Sequence, residues 1–126
     1  HCKKSGDICI IKDDMADILD KMNAADVLVM ASPVYFYSID AQMKALIDRT
    51  VAQWLTIKNK EFYYIMTAAE EGDTVMDCTL ECFRGLARCL EGSIERGVIY
   101  GKGVYGPGEI ESKPAMQEAY DMGRKA

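Results

Sequence analysis

The sequence predicts an α/β domain built on a parallel sheet, and three observations carry that reading. Helix-like and strand-like patterns alternate along its 126 residues without internal repeats, low-complexity tracts or a linker. The first strand-like stretch, residues 26–32, is continuously apolar, as a strand covered on both faces should be. Each such stretch is followed by a helix-like one, and parallel neighbours need helical crossovers.

Element by element, Asp13 and Asp14 mark a helix start, and Met15, Ile18, Leu19 and Met22 follow at the spacing of one buried face. Residues 26–32 form the first strand, which Pro33 ends because proline cannot extend a central ladder. Asp40 is placed to N-cap the next helix, with Met43, Leu46, Ile47, Val51 and Trp54 on one face. Residues 60–68 read as the second strand, with Phe62 to Met66 as its apolar centre. A loop over residues 70–73 leads into a long helix from about Thr74 to Glu91. Residues 93–100 read as the third strand, and Pro114 suits the first position of a final helix. Three strands make a thin sheet, so either the domain is small or strands precede it. Residues 1–126 are read as a single domain.

Composition narrows the function classes. Apolar residues are 49% and charged residues 28%, an ordinary globular balance that speaks against disorder. The longest aliphatic run, Val27 to Ala31, falls far short of the roughly 20 residues of a membrane span, so no membrane partner is expected. Net charge is −5 and the 15 basic residues are scattered rather than striped, which argues against nucleic acid. Five cysteines is an odd number, and three fall in one expected helix, which fits reduced thiols in a cytoplasmic protein better than a secreted framework. The chain opens His1-Cys2-Lys3-Lys4 without an initiator methionine, which suits the body of a longer polypeptide.

The first candidate for chemistry is Ser32-Pro33-Val34-Tyr35-Phe36-Tyr37-Ser38, just past the carboxyl end of a strand. Ligands bind at that edge in open α/β sheets. Three aromatics beside a stiffening proline can cover a flat heteroaromatic ligand while backbone amides reach its edge. Equally, Tyr35, Phe36 and Tyr37 could simply cap the sheet end.

The residues from Ala25 to Tyr35, then Gln42 to Arg49, resemble the NADPH-dependent FMN reductase family of flavodoxin-like proteins. The tail, Tyr100 to Val104, Lys113-Pro114 and Ala119 to Gly123, is similar to the iron–sulfur flavoprotein-like branch. The resemblance implies a flavodoxin-like three-layer sandwich. It also implies that Ser32, Pro33, Val34, Tyr35, Phe36, Tyr37 and Ser38 border the isoalloxazine ring of FMN. The loop after the next strand would be the other ring-side wall, here Thr67, Ala68, Ala69, Glu70, Glu71 and Gly72. Tyr35 and Phe36 would cover the ring, with backbone amides near Ser38 and Ala69 at its polar edge.

The implied activity passes hydride from NAD(P)H through FMN to a quinone, flavin or similar small acceptor. The flavin carries that chemistry, so no catalytic acid or base is expected from the chain. A homodimer or higher homo-oligomer is implied too, with Trp54 and Tyr105 as candidate contacts, although Tyr105 also suits a loop anchor. One part of the family pattern has no match. Members begin with a strand and a Ser/Gly/Asn-rich loop that grips the FMN phosphate through backbone N–H groups. The sequence is therefore read as the C-terminal portion of the fold, with flavin binding dependent on that other segment.

Cys2 and Cys9 flank a Ser5-Gly6-Asp7 turn. In the iron–sulfur branch such cysteines ligate a cluster, but a [4Fe-4S] centre takes four thiolates. These two are either the trailing pair of a larger motif or thiols that are isolated or redox-active, and the last two are preferred to the cluster. At about 100° per residue, Cys78, Cys82 and Cys89 fall on one helical stripe beside the apolar arc, where they should pack as small apolar residues. His1 alone supports no triad or zinc site, and Glu70, Glu71 and Asp73 read as a solvated loop. Two other functions compete with the reductase: an iron–sulfur flavoprotein electron carrier, and a cofactor-free remnant that only oligomerises.

Overall fold

The computed structural model describes residues 9–72 and 74–126. In chain order the elements are α1 (Met15–Ala24), β1 (Val27–Pro33), α2 (Ala41–Arg49), β2 (Glu61–Thr67), α3 (Asp77–Cys89), β3 (Ile94–Gly101) and α4 (Pro114–Gly123). The strands lie in the order β1-β2-β3 and all pairs are parallel. Val27 to Pro33 run beside Glu61 to Thr67, so β1 and β2 end level with each other. Thr67 in turn pairs with Gly101, after a register shift at Phe62 and Tyr63. All three strands therefore stop on one rim.

Alternation along β2 sorts the two faces. Phe62, Tyr64 and Met66 are fully buried on one side, where Met15, Leu19 and Met22 of α1 and Leu80, Phe83 and Leu86 of α3 meet them. Tyr64 stacks on Phe83 with centroids 5.4 Å apart and planes 12° from parallel. Full burial of a side chain like Phe83 contributes about 2–3 kcal/mol. On the other face α4 lies close over β3, where a Cβ on Gly97 would stand 2.4 Å from Met122 Sδ. No helix among the described residues is long and apolar enough to cross a membrane.

Several local expectations hold. Asp40 caps α2 by accepting the Met43 N–H at 2.8 Å, and Pro114 opens α4. Met15, Leu19 and Met22 form the buried stripe of α1. At its start Asp13, rather than Asp14, takes the Met15 N–H at 3.1 Å. Lys60 precedes β2 instead of starting it. It is buried because its ammonium donates to the carbonyls of Asn23 and Ala25 where α1 ends.

Other expectations are corrected. Among the described residues strand β1 is not covered on both faces: Val29 is 58% exposed, since α4 lies over β3. Among the described residues β1 is an edge strand, so Pro33 can take its last position. Helix α2 stops at Arg49 because a tight turn over Thr50–Ala52 follows, with the Thr50 hydroxyl donating to the Ile47 carbonyl. Val51 is consequently half-exposed, and Trp54 packs on the core from beyond the helix. Helix α3 begins at Asp77, and Thr74 to Met76 form a turn before it.

The cysteine stripe of α3 divides. Cys82 packs against the core, whereas Cys78 and Cys89 are exposed. Leu80, Phe83 and Leu86 centre the buried arc on their own side of the helix, which turns those two thiols outward.

Candidate functional site

At the common rim the chain leaves β1 and β2 through two adjacent loops. Between them lies a cavity of about 320 Å³ lined by Val34, Tyr35, Phe36, Tyr37, Ala68, Ala69, Glu70 and Val75. Its position past the carboxyl ends of the strands is where open parallel sheets receive ligands, and its size is in the small-molecule range.

The first wall is a tight bend. Tyr35 N–H donates to the Ser38 carbonyl at 2.9 Å, and Ser38 N–H returns a bond to the Tyr35 carbonyl at 3.1 Å. The two residues between them, Phe36 and Tyr37, hold left-handed backbone with φ of 49° and 63°. That is the geometry of a two-residue turn normally given to Asn and Gly. For bulky side chains it costs about 1–3 kcal/mol per residue. The rings gain little burial in exchange: Tyr35 is 62%, Phe36 101% and Tyr37 54% exposed. They do not cap the core.

The second wall is stitched to its neighbours. Val34 N–H donates to the Thr67 carbonyl at 2.8 Å, and Ala68 N–H to Gly101 at 2.9 Å. The carbonyls of Ala68 and Glu70 receive the N–H groups of Val104 and Gly103 from the loop after β3. Gly103 has φ of 63°, the left-handed backbone that favours glycine, and a Cβ there would push the Glu71 side chain aside. Glu71 also faces Lys113 at 3.6 Å. Among the described residues, the N–H groups of Phe36, Tyr37, Ala69 and Glu70 meet no acceptor.

Of the residues singled out by sequence, Val34 to Tyr37 and Ala68 to Glu70 come together on the cavity. Pro33 and Thr67 pair at the strand ends behind it. Ser32 is 4% exposed, and its hydroxyl is engaged with Asp40 and the Pro33 carbonyl. Ser38 has its N–H bound to Tyr35, so the open donors on that wall are one and two residues earlier. Its hydroxyl lies 3.9 Å from Cys82 Sγ. Glu71 and Gly72 are exposed, and Asp73 lies outside the described residues. Val75 lines the cavity and was not foreseen. Helical periodicity assigned it to α3, and only its place just past a glycine-containing loop could have flagged it.

Away from the cavity, Cys9 Sγ accepts from Arg49 Nη2 at 3.7 Å, while Arg49 also forks onto both oxygens of Asp13. The Ile11 N–H and the Arg49 guanidinium together hold the Cys9 thiol below the ordinary range. Cys2 lies outside the described residues. Among the described residues no three His, Cys, Asp or Glu side chains gather as a metal site. Tyr105 is 91% exposed, so its side chain does not anchor the loop.

Residues 1–79, more than half of the chain, match the family model of NADPH-dependent FMN reductases. The chain belongs to that family. An iron–sulfur flavoprotein of Archaeoglobus fulgidus is 30% identical over 131 aligned positions, covering 98% of this chain and 54% of that one. One from Methanosarcina thermophila is 49% identical over 55 residues, 40% of this chain and 29% of its own length. The chain thus spans about half the length of the Archaeoglobus relative.

Solved structures agree on the fold. A Trp repressor binding protein from Bacillus subtilis superposes with a TM-score of 0.79 at 18% identity, covering 90% of this chain and 78% of that one. An FMN-dependent NADH-azoreductase from Bacillus anthracis, solved with FMN, gives 0.63 at 15% identity, covering 89% of this chain and 61% of that one. The three parallel strands with flanking helices make a flavodoxin-like fold.

Proposed function

We propose that the polypeptide carrying this sequence is an FMN-dependent oxidoreductase, taking electrons from NAD(P)H and passing them to a quinone, flavin or similar small acceptor. The cavity at the rim would hold the flavin ring. The observation that carries this reading is the bend itself: two strained, exposed aromatics line one slot together with Ala69 and Glu70, and the N–H groups of these four residues have no acceptor among the described residues. Such strain without compensating burial suits a surface shaped for an occupant.

Tyr35 and Phe36 would cover the ring face, where aromatic contact contributes about 0.5–1.5 kcal/mol beyond burial. Phe36, Tyr37, Ala69 and Glu70 would offer N–H groups to its polar edge. Ala68 and Ala69 let the backbone come close, and Val75 closes the slot. Pro33, Ser38, Thr67 and Gly72 would shape the two walls without needing to donate. FMN, when bound, supplies the electron-carrying chemistry, so the chain is asked only to bind, orient and limit water. The phosphate would be gripped by residues other than those of the slot. A homodimer in the cytoplasm fits this activity, and Tyr105, being exposed, would be free to contact the second copy.

A second reading has its own observation. Cys9 carries a thiol drawn toward thiolate by the Ile11 N–H and by Arg49, and thiolates are what iron–sulfur clusters bind. Iron and sulfide analysis of the full polypeptide separates a cluster-bearing electron carrier from a plain reductase.

The main reading is tested by titrating FMN into the full polypeptide and following flavin fluorescence and absorbance. Saturable binding is expected, and Phe36→Ala should weaken it by roughly 5- to 10-fold. A protein that ignores added FMN, or a Phe36→Ala variant that binds as tightly as wild type, overturns it.

A further inference from the structure

The aromatic bend has a base as well as a tip, and the base is a closed hydrogen-bond clamp. Ser32 lies next to the end of β1 and Asp40 caps α2, with residues 34–39 looped out between the two elements. Asp40 N–H donates to Ser32 Oγ at 2.9 Å. The Ser32 hydroxyl has two acceptors for its proton, the Pro33 carbonyl at 2.7 Å and Asp40 Oδ2 at 3.1 Å. The other carboxylate oxygen, Oδ1, takes the Met43 N–H. Neither side chain lines the cavity.

A frame of this kind answers a specific physical need. Phe36 and Tyr37 sit in a backbone region that their side chains disfavour, and such residues persist only where the surroundings over-determine them. The inner Tyr35–Ser38 pair spans the tip, and Ile39, 7% exposed, is set into the core just inside the base. What remains is to hold the two ends of the loop at one separation. Ser32 and Asp40 do this by bonding directly, and the capped helix makes Asp40 a rigid post.

We infer that Ser32 and Asp40 are a positioning pair that holds the aromatic tip in its left-handed form and thereby sets the shape of the ring slot without touching its occupant. The consequence for ligand affinity rests on the flavin reading, whereas the consequence for the bend does not. A role in capping α2 alone would make Asp40 matter to the helix and leave Ser32 irrelevant to the tip.

The experiment compares Ser32→Ala, Ser32→Cys, Asp40→Ala and Asp40→Asn in the full polypeptide. Cysteine keeps the buried space filled while weakening the hydrogen bonds. Asparagine can still accept from Met43 N–H and can donate to Ser32 Oγ. The first readout is chymotryptic cleavage after Tyr35, Phe36 and Tyr37 in flavin-free protein, divided by cleavage at other sites so that global loosening cancels. Ser32→Ala, Ser32→Cys and Asp40→Ala should each raise this ratio by roughly 5- to 10-fold, the loss of one to two hydrogen bonds. Asp40→Asn should stay within about twofold. The second readout is FMN affinity, expected to fall by a similar factor in the same three variants and to be rescued by Asp40→Asn.

An unchanged cleavage ratio in both Ser32 variants overturns the inference. So does an Asp40→Asn variant cleaved as fast as Asp40→Ala. Wild-type protein that binds no FMN overturns the flavin reading, and the cleavage ratios still judge the clamp.

Discussion

Phe36 and Tyr37 are consecutive residues that both hold positive φ, 49° and 63°, and both point rings toward solvent beside the same cavity. Stability and ligand binding make opposite demands here. Glycine tolerates this backbone without a steric penalty but gives the unfolded chain more freedom. Phe36 is fully exposed and has little packing to lose. Phe36→Gly should therefore stabilise the protein by about 0.5–1 kcal/mol in denaturant melts. The same variant should bind FMN less tightly. A stabilised variant with undiminished affinity would show that the ring serves something other than the flavin.

Tyr64 poses the opposite problem inside the core. Its ring stacks on Phe83, yet its hydroxyl is buried with no partner among the described residues. Burial pushes the phenol up to about 12, so it stays protonated as a donor without an acceptor. Tyr64→Phe keeps the ring and deletes the stranded group. It should raise stability by about 1 kcal/mol, read as a higher denaturation midpoint at unchanged slope. A loss of stability would mean that the hydroxyl is satisfied by water in solution.

On the flank of α3, Arg84 forks onto Glu95, with Nε to Oε2 at 2.7 Å and Nη2 to Oε1 at 2.9 Å. The guanidinium holds the Glu95 carboxyl below its ordinary 4.5. A depressed folded value means the contribution is fully present above pH 4.5 and is lost as pH falls through the lower folded value. Both side chains are about one-third exposed, so solvent screening leaves about 0.5 kcal/mol. Arg84→Met should flatten the acid limb of the stability profile by that amount between about pH 5 and pH 2. The flattening is partial, because Glu61 is held down by Arg96 and Glu81 by Arg88 as well as by Arg84. An unchanged acid limb would show that the pair adds nothing to folding.

What could be read from the chain and what could not differ in physical kind. The stripe of Met15, Leu19 and Met22, the Asp40 cap and Pro114 at a helix start are local signals, written within one turn of helix. That a loop from Ser32 to Ser38 stands past a strand end was also legible, because Pro33 closes an apolar run. Its conformation was not legible. Left-handed φ at Phe36 and Tyr37 contradicts their intrinsic preference and arises from the Tyr35–Ser38 bonds and the Ser32–Asp40 clamp.

The amino-acid order alone established the class of fold, the alternation of its elements and which loop would stand at the rim. Those properties follow from periodicity and from the helical crossovers that parallel strands require. Packing was needed to settle the rest: Cys82 inward while Cys78 and Cys89 face out, Val29 open to solvent among the described residues, and Val75 against the slot. Each of these depends on which distant surface a residue meets, and nothing in a residue's immediate neighbours along the chain encodes that distance.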